Sequence, residues 1–334
     1  MLAATGLRSH IWNNNLKSIL LLAGFPVLIV GLVYGLTVLF LAWTEDERAD
    51  LGRAAGEAAY AMPMVTPWVL LGVAIWFGIA WLSHQAIIDA STGAKKVSRN
   101  DEPELYNLLE NLCISRGITM PALRIIETPA LNAYASGLTD KQAAVTVTRG
   151  LTQTLNREEL EAVLAHELTH ILNRDVRLLV ISIIFVGIIS FTVEIMVRGM
   201  LYGSLGRAGG SRRGSGGNSG VFILVAMAMA ALAWVLAIAI RFTLSRKREY
   251  MADAGAVELT KNPDAMITAL MKVSGNPDIE GAPAEVRQMF LHDRSSGFAG
   301  MFATHPPMDK RIAALERYAG GNRPPPRAGA VPAV

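Results

Sequence analysis

Two long apolar runs near the start of the chain, from about Ile19 to Trp43 and from about Val65 to Leu82, limit its fold more than any other feature. About 20 apolar residues in a helix suffice to cross a bilayer. A helix that is apolar all round must lie in lipid or be buried on every side. Pro26 falls within the first run and Pro67 opens the second, positions that membrane helices tolerate. A cleavable signal peptide is the competing reading of the first run. Its apolar stretch exceeds the roughly 7–15 residues of a signal core and no small-residue cleavage site closes it, so an uncleaved anchor is expected. Charge then orients the pair. Arg8 and Lys17 precede the first run, and Lys95, Lys96 and Arg99 follow the second. The loop between them carries Glu45, Asp46, Glu47, Asp50 and Glu57 against Arg48 and Arg53. Basic residues stay on the cytosolic side, which places the N-terminus and the segment after residue 90 in the cytosol.

The rest of the chain alternates between water-soluble and apolar patterns. Asp101 with Glu104 reads as a capping box for a helix ending at Gly117. Leu123–Glu127, Ala133–Ser136 and Ala144–Thr148 read as strands, with a turn over Gly137–Asp140 between the last two. Asn156 with Glu159 reads as a second capping box. Further apolar runs, about Leu178–Val197 and Val221–Ile240, flank a Gly/Ser/Arg-rich loop from Gly203 to Gly220. Arg207, Arg212 and Arg213 in that loop oppose the charge rule, and Glu194 is a costly carboxylate inside the third run. The expected organisation is a membrane hairpin (1–89), a first soluble part (90–176), a second hairpin (177–241), a second soluble part (242–319) and a disordered Pro-rich tail (320–334). The fold class is α+β, mainly helical, with about four membrane helices.

Composition narrows the chemistry. Hydrophobic residues are 51% of the 334 and charged residues only 18%, while the net charge is +3 without a basic block interleaved with aromatics. Nucleic acid is therefore not an expected partner. Cys113 is the single cysteine, so no intrachain disulfide forms and zinc cannot be held by several thiolates. It shares an apolar helical face with Leu108, Leu109 and Leu112 and reads as a buried, inert thiol.

His166-Glu167-Leu168-Thr169-His170 carries the chemistry. Residues four apart on a helix share a face, so both imidazoles can close on one tetrahedral metal with Glu167 beside them, a spacing associated with metalloproteases. Catalytic zinc takes three protein ligands, so one is missing. Glu249 is the best candidate, because Asp253 shares its helical face and can accept a hydrogen bond from a ligand imidazole. A surface glutamate is the alternative, and His10, His84 and His292 have no supporting pattern. Glu249 can meet His170 only if the third and fourth apolar runs return the chain to the same side. Glu167 would be the general base for the attacking water. His305, Arg311 and Tyr250 are candidates to stabilise the developing oxyanion.

These motifs, in this order, resemble the HtpX-type membrane zinc metalloproteases, relatives of the CAAX prenyl proteases. The resemblance rests on the paired N-terminal runs, Asn132-Ala133-Tyr134-Ala135-Ser136-Gly137, His166-Glu167-x-x-His170-x-x-Asn173-x-Asp175, Glu249-x-x-x-Asp253 and Thr304-His305-Pro306-Pro307. It implies a gluzincin-like domain with one Zn2+ per chain on His166, His170 and Glu249, and with Glu167 catalytic. It implies endoproteolytic quality control of damaged or misassembled membrane proteins in the bacterial inner membrane, the active site facing the cytosol. The segment at Asn132, Ala133 and Tyr134 would be an edge strand pairing with extended substrate. The Gly/Arg-rich loop and the Pro-rich tail match no motif of that family. Two other functions compete: a narrow-specificity processing peptidase, and a catalytically silent membrane adaptor with structural zinc. Glu167 argues against the adaptor, which does not need it. A transporter is disfavoured because the runs lack paired charges.

Overall fold

The computed structural model describes residues 7–44, 51–181, 184, 247–274, 289–291 and 306–324. The third and fourth apolar runs beyond residue 184, Glu194, the Gly/Arg-rich loop, His292 and the tail from residue 325 lie outside them. Among the described residues, those before 16, 84–180 and those from 247 onward form one compact unit, and 16–83 belong to a second.

The second unit contains the bodies of two helices, α1 (Leu7–Thr44) and α2 (Leu51–Thr92), which run unbroken through Pro26 and through Pro63 and Pro67. Both are long and apolar enough to cross a membrane. Ala54 and Ala58 are fully buried, and the Tyr34 hydroxyl donates to the Ala55 carbonyl at 3.3 Å, contacts that small residues permit between close helices. Trp68, Ile75 and Leu82 point outward instead. At 1.5 Å per residue the 42 residues of α2 extend about 63 Å, roughly twice a hydrocarbon core. Only part of α2 can lie in lipid, and its last turns belong to the first unit.

The first unit is built around a four-stranded sheet in the order β1-β2-β4-β3, from β1 (Lys95–Lys96), β2 (Ala122–Ile126), β3 (Ala133–Ser136) and β4 (Ala144–Thr148). β2 and β4 are parallel and the other pairs antiparallel. β3 and β4 match the expected strands and form the expected hairpin. β2 begins one residue early, and the two-residue β1 has too short a pattern to be read from sequence. Gly137, at φ +121°, opens the β3–β4 connection, and a Cβ there would lie 2.7 Å from the backbone of Gln142 and Ala143. Only glycine fits.

One capping expectation is corrected. Helix α3 (Pro103–Arg116) is preceded by Glu102, which makes no side-chain cap. Asp101 instead accepts from the Ser98 backbone N–H and hydroxyl, at 2.8 and 2.7 Å. With Pro103 in the first helical turn the N-cap position falls on Glu102, so Asp101 lies one residue too early to cap the helix and closes the Ser98–Asp101 turn instead. The helix ends at Gly117 in the left-handed conformation, as expected. Its Leu108, Leu109, Leu112 and Cys113 are buried. Burial, with Glu110 nearby, pushes the Cys113 thiol up to about 11, consistent with an inert core thiol.

After α4 (Arg149–Thr154), helix α5 (Arg157–Leu172) opens on the expected capping box. Asn156 accepts from the Glu159 N–H and Glu159 from the Asn156 N–H, both at 2.9 Å. The stretch from Leu160 to Thr169 is buried almost throughout, because α5 packs on α3, β3 and β4 and on two later helices, α6 (Lys247–Thr260) and α7 (Pro263–Val273). Each fully buried leucine in that layer contributes about 1.5–3 kcal/mol. A last helix, α8 (Met308–Ala319), packs on α6 and α7.

Candidate metal centre

The site forms where α5 and α6 cross. Gly255 of α6 sits against Thr169 of α5, and a Cβ on it would lie 2.4 Å from Thr169 Cγ2. Two helices this close bring Glu249, six residues before Gly255, to the face of α5 that carries His166 and His170. Gly255→Val is expected to destabilise the protein by about 1–3 kcal/mol through overpacking, with partial recovery in Gly255→Val/Thr169→Ala. Thermal unfolding in detergent checks both.

His166 Nε2 and His170 Nε2 are 3.1 Å apart, and Glu249 Oε2 and Oε1 lie 3.8 Å from them respectively. Metal–ligand bonds of about 2.0–2.2 Å in a tetrahedron set donors roughly 3.3–3.6 Å apart, so the three side chains fit such an ion. Charge fits too. Glu167, Asp175, Glu249 and Asp253 are buried against two buried guanidinium groups, Arg248 and Arg311, so acidic side chains outnumber basic ones among these residues. His166 Nδ1 lies 3.0 Å from Asp253 and His170 Nδ1 lies 3.0 Å from Asp175. Carboxylates there favour the proton on Nδ1 and turn both Nε2 lone pairs toward each other. A cation relieves that repulsion. His166, His170 and Glu249 could therefore hold a metal ion.

Electrostatics separates the buried groups. Burial pushes the His166 imidazole down to about 4, against the pull of Asp253. Burial opposes the charged form of His170 as well, but Glu249 and Asp175 win and raise it. Burial raises Glu167 to about 7, although His170 and a hydrogen bond from the Ala135 N–H draw it back. Burial would raise Asp253 too, yet Arg311 holds it below the usual carboxylate range.

The remaining expected site residues divide. Asp253 does stand behind a candidate ligand, His166. Arg311 is fully buried, but its N–H groups are committed: Nε and Nη2 donate to Asp253 at 2.9 and 2.6 Å, and Nη1 to the Leu291 carbonyl at 3.2 Å. It braces Asp253, and its Nη2 also stands 3.5 Å from His166 Nε2. Tyr250 lines a groove between α6 and α8, His84 is buried on α2 and is not part of the His-His-Glu cluster, and His305 lies outside the described residues. β3 is an edge strand. Along it, Asn132 and Tyr134 turn their backbone groups toward β4, since the Asn132 carbonyl accepts from the Thr148 N–H and alternate residues share a direction. Ala133 faces outward, and its carbonyl accepts from the Leu291 N–H at 2.8 Å. Tyr134 is buried, its ring stacked on Phe290 at 5.6 Å.

Four residues of the site were not singled out from sequence. Ala135 follows Ala133 by the strand's period of two and meets Glu167. Asp175 belongs to the quoted motif but carried no role there. Arg248 and Met289 line the cleft with Glu167, His170 and Glu249; Arg248 also lies 3.1 Å from Glu249 through Nε.

Residues 99–319 match the model of peptidase family M48. A protease HtpX homolog from Bacteroides fragilis (strain ATCC 25285) is 45% identical, over 94% of this chain and 99% of its own. One from Listeria monocytogenes serotype 4a is 35% identical, over 91% and 97%. Among solved structures, Ste24p of S. mikatae aligns at a TM-score of 0.44 and 18% identity, covering 92% of this chain and 66% of that one. With two helices fit to cross a membrane and a buried His-His-Glu cluster, the chain belongs to peptidase family M48, among its HtpX-type metalloproteases.

Proposed function

We propose that this protein is a membrane-bound zinc endopeptidase that cleaves misfolded or damaged proteins of the bacterial inner membrane from the cytosolic side. The observation that carries this reading is the convergence of His166, His170 and Glu249, with the buried carboxyl of Glu167 beside His170 and Glu249 in one cleft. Zinc is the metal of choice because two imidazoles and one carboxylate suit it, and when bound it would act as a Lewis acid and acidify water.

The chain's own residues supply the rest. Glu167 holds or releases a proton near neutrality, as a general base requires. Asp253 and Asp175 keep the imidazoles oriented. On the outer edge of β3 the Ala133 carbonyl is taken by the Leu291 N–H and the Ala135 N–H by Glu167, so an extended peptide would pair with that edge by displacing these contacts. Backbone pairing of that kind reads little sequence, which suits substrates recognised by being unfolded. The positive-inside pattern of the flanking lysines and arginines supports the cytosolic orientation.

The test uses the full chain in detergent with an unfolded protein as substrate. Cleavage should require zinc and cease with a chelator. Glu249→Ala should lose most of its zinc, measured by metal analysis; full zinc occupancy in that variant would remove Glu249 from the ligand set. Stoichiometric zinc without any cleavage by the wild type would favour the adaptor reading.

A further inference from the structure

The N-terminal turns of α1 belong to the same compact unit as the metal centre. Asn14, in those turns, is 4% exposed, and its Nδ2 donates twice: to Asp175 Oδ1 at 2.7 Å and to the Asn173 carbonyl at 3.1 Å. Asp175 is 3% exposed and its other oxygen, Oδ2, stands 3.0 Å from His170 Nδ1. Asn14 thus meets one side of a carboxylate whose opposite side faces a candidate metal ligand.

The local backbone makes that contact matter. Asn173 caps α5 and Arg174 follows at φ +61°, a conformation that is costly for a residue other than glycine. This reversal swings Asp175 back beside His170. The exposed Arg174 guanidinium is tied to Asp140 at 2.6 and 3.2 Å, but the buried side of the turn is held by Asn14. With one N–H on the Asn173 carbonyl and another on Asp175, a single amide fixes both ends of the reversal.

We propose that Asn14, on the first membrane helix, is a positioning residue for the metal centre, acting through Asp175 on His170. Metal affinity is then coupled to the seating of the N-terminal turns of α1, which hold Asn14 in the unit that carries the metal centre. The inference rests on the reading of His170 as a zinc ligand. Partners of this kind typically change metal affinity about 10–100-fold when removed.

Zinc affinity of the full chain in detergent, measured by competition with a chromophoric chelator, tests it. Asn14→Leu and Asp175→Ala should each weaken zinc about 10–100-fold, and the double variant should be no weaker than Asp175→Ala alone, because the two act in series. Asn13→Leu, one residue away and exposed, should bind as wild type does. Asn14→Ser keeps a donor and should retain most of the affinity; Asn14→Ala, which removes the amide without adding bulk and should lose affinity as Asn14→Leu does, decides the matter should Asn14→Leu fail to fold. The visible spectrum of the Co2+-substituted chain should change in Asn14→Leu and not in Asn13→Leu. Wild-type affinity in Asn14→Leu, or additive losses in the double variant, would overturn the proposal while leaving the zinc reading intact. A wild-type chain that binds no zinc would overturn that reading and the proposal together.

Discussion

Glu167→Gln is expected to reduce peptide hydrolysis by about two to four orders of magnitude, the span of a lost general base, while zinc content stays at the wild-type level. The substitution is nearly isosteric and its site is closed, since Glu167 is 1% exposed. Glutamine can keep the hydrogen bond from the Ala135 N–H through its carbonyl oxygen, so the fold loses little. It cannot accept a proton. Glu167 is suited to that task because burial lifts its carboxyl to about 7, where proton uptake and release are both accessible at neutral pH. Its carboxylate is not among the donors that could hold the ion, so metal analysis and turnover should part company. Cleavage of an unfolded substrate within tenfold of wild type, at equal zinc, would exclude Glu167 as the base.

How much of this site can be read from sequence depends on the distance over which each contact acts. The HExxH face, its capping box at Asn156 and Glu159, and the β3–β4 hairpin are set by neighbours within a few residues, and all three stand where the sequence predicts them. Glu249 is 79 residues beyond His170, and its approach depends on the close crossing at Gly255 and Thr169, which no local pattern announces. The edge strand was legible as a strand from its residues and as an edge only through the family resemblance. Its polarity was not, because which alternate residues face outward follows from the pairing register with β4: Ala133 and Ala135 point out, Tyr134 inward. Asp101 misled for a local reason, as the N-cap position falls on Glu102, ahead of Pro103, and leaves Asp101 one residue too early. Asn14 lay inside a segment read only as an anchor, and its partner Asp175 is 161 residues away.

Arg311 shows the same limit with the largest consequence for stability. Replacing it by methionine is expected to cost about 3–5 kcal/mol, the loss seen when one partner of a buried ion pair is removed. Arg311 is inaccessible to solvent and grips Asp253 with two parallel bonds, and Nη1 also lies 3.7 Å from Glu249. Without it, Asp253 is a buried carboxylate whose guanidinium partner is gone. Its proton affinity then rises, and a neutral Asp253 is a poorer acceptor for His166 Nδ1. Stability and metal binding should therefore fall together in Arg311→Met, the first measured by unfolding in chelator so that bound metal does not contribute. The double variant Arg311→Met/Asp253→Leu separates the two effects. Replacing a whole buried pair with apolar side chains is often neutral or better, so unfolding should recover much of the loss. Zinc affinity should not recover, because His166 still lacks the carboxylate that fixes its orientation. A loss below about 1 kcal/mol in Arg311→Met, or recovery of zinc in the double variant, would mean that Arg311 does not act through Asp253. The oxyanion role first considered for it would then have to be weighed again.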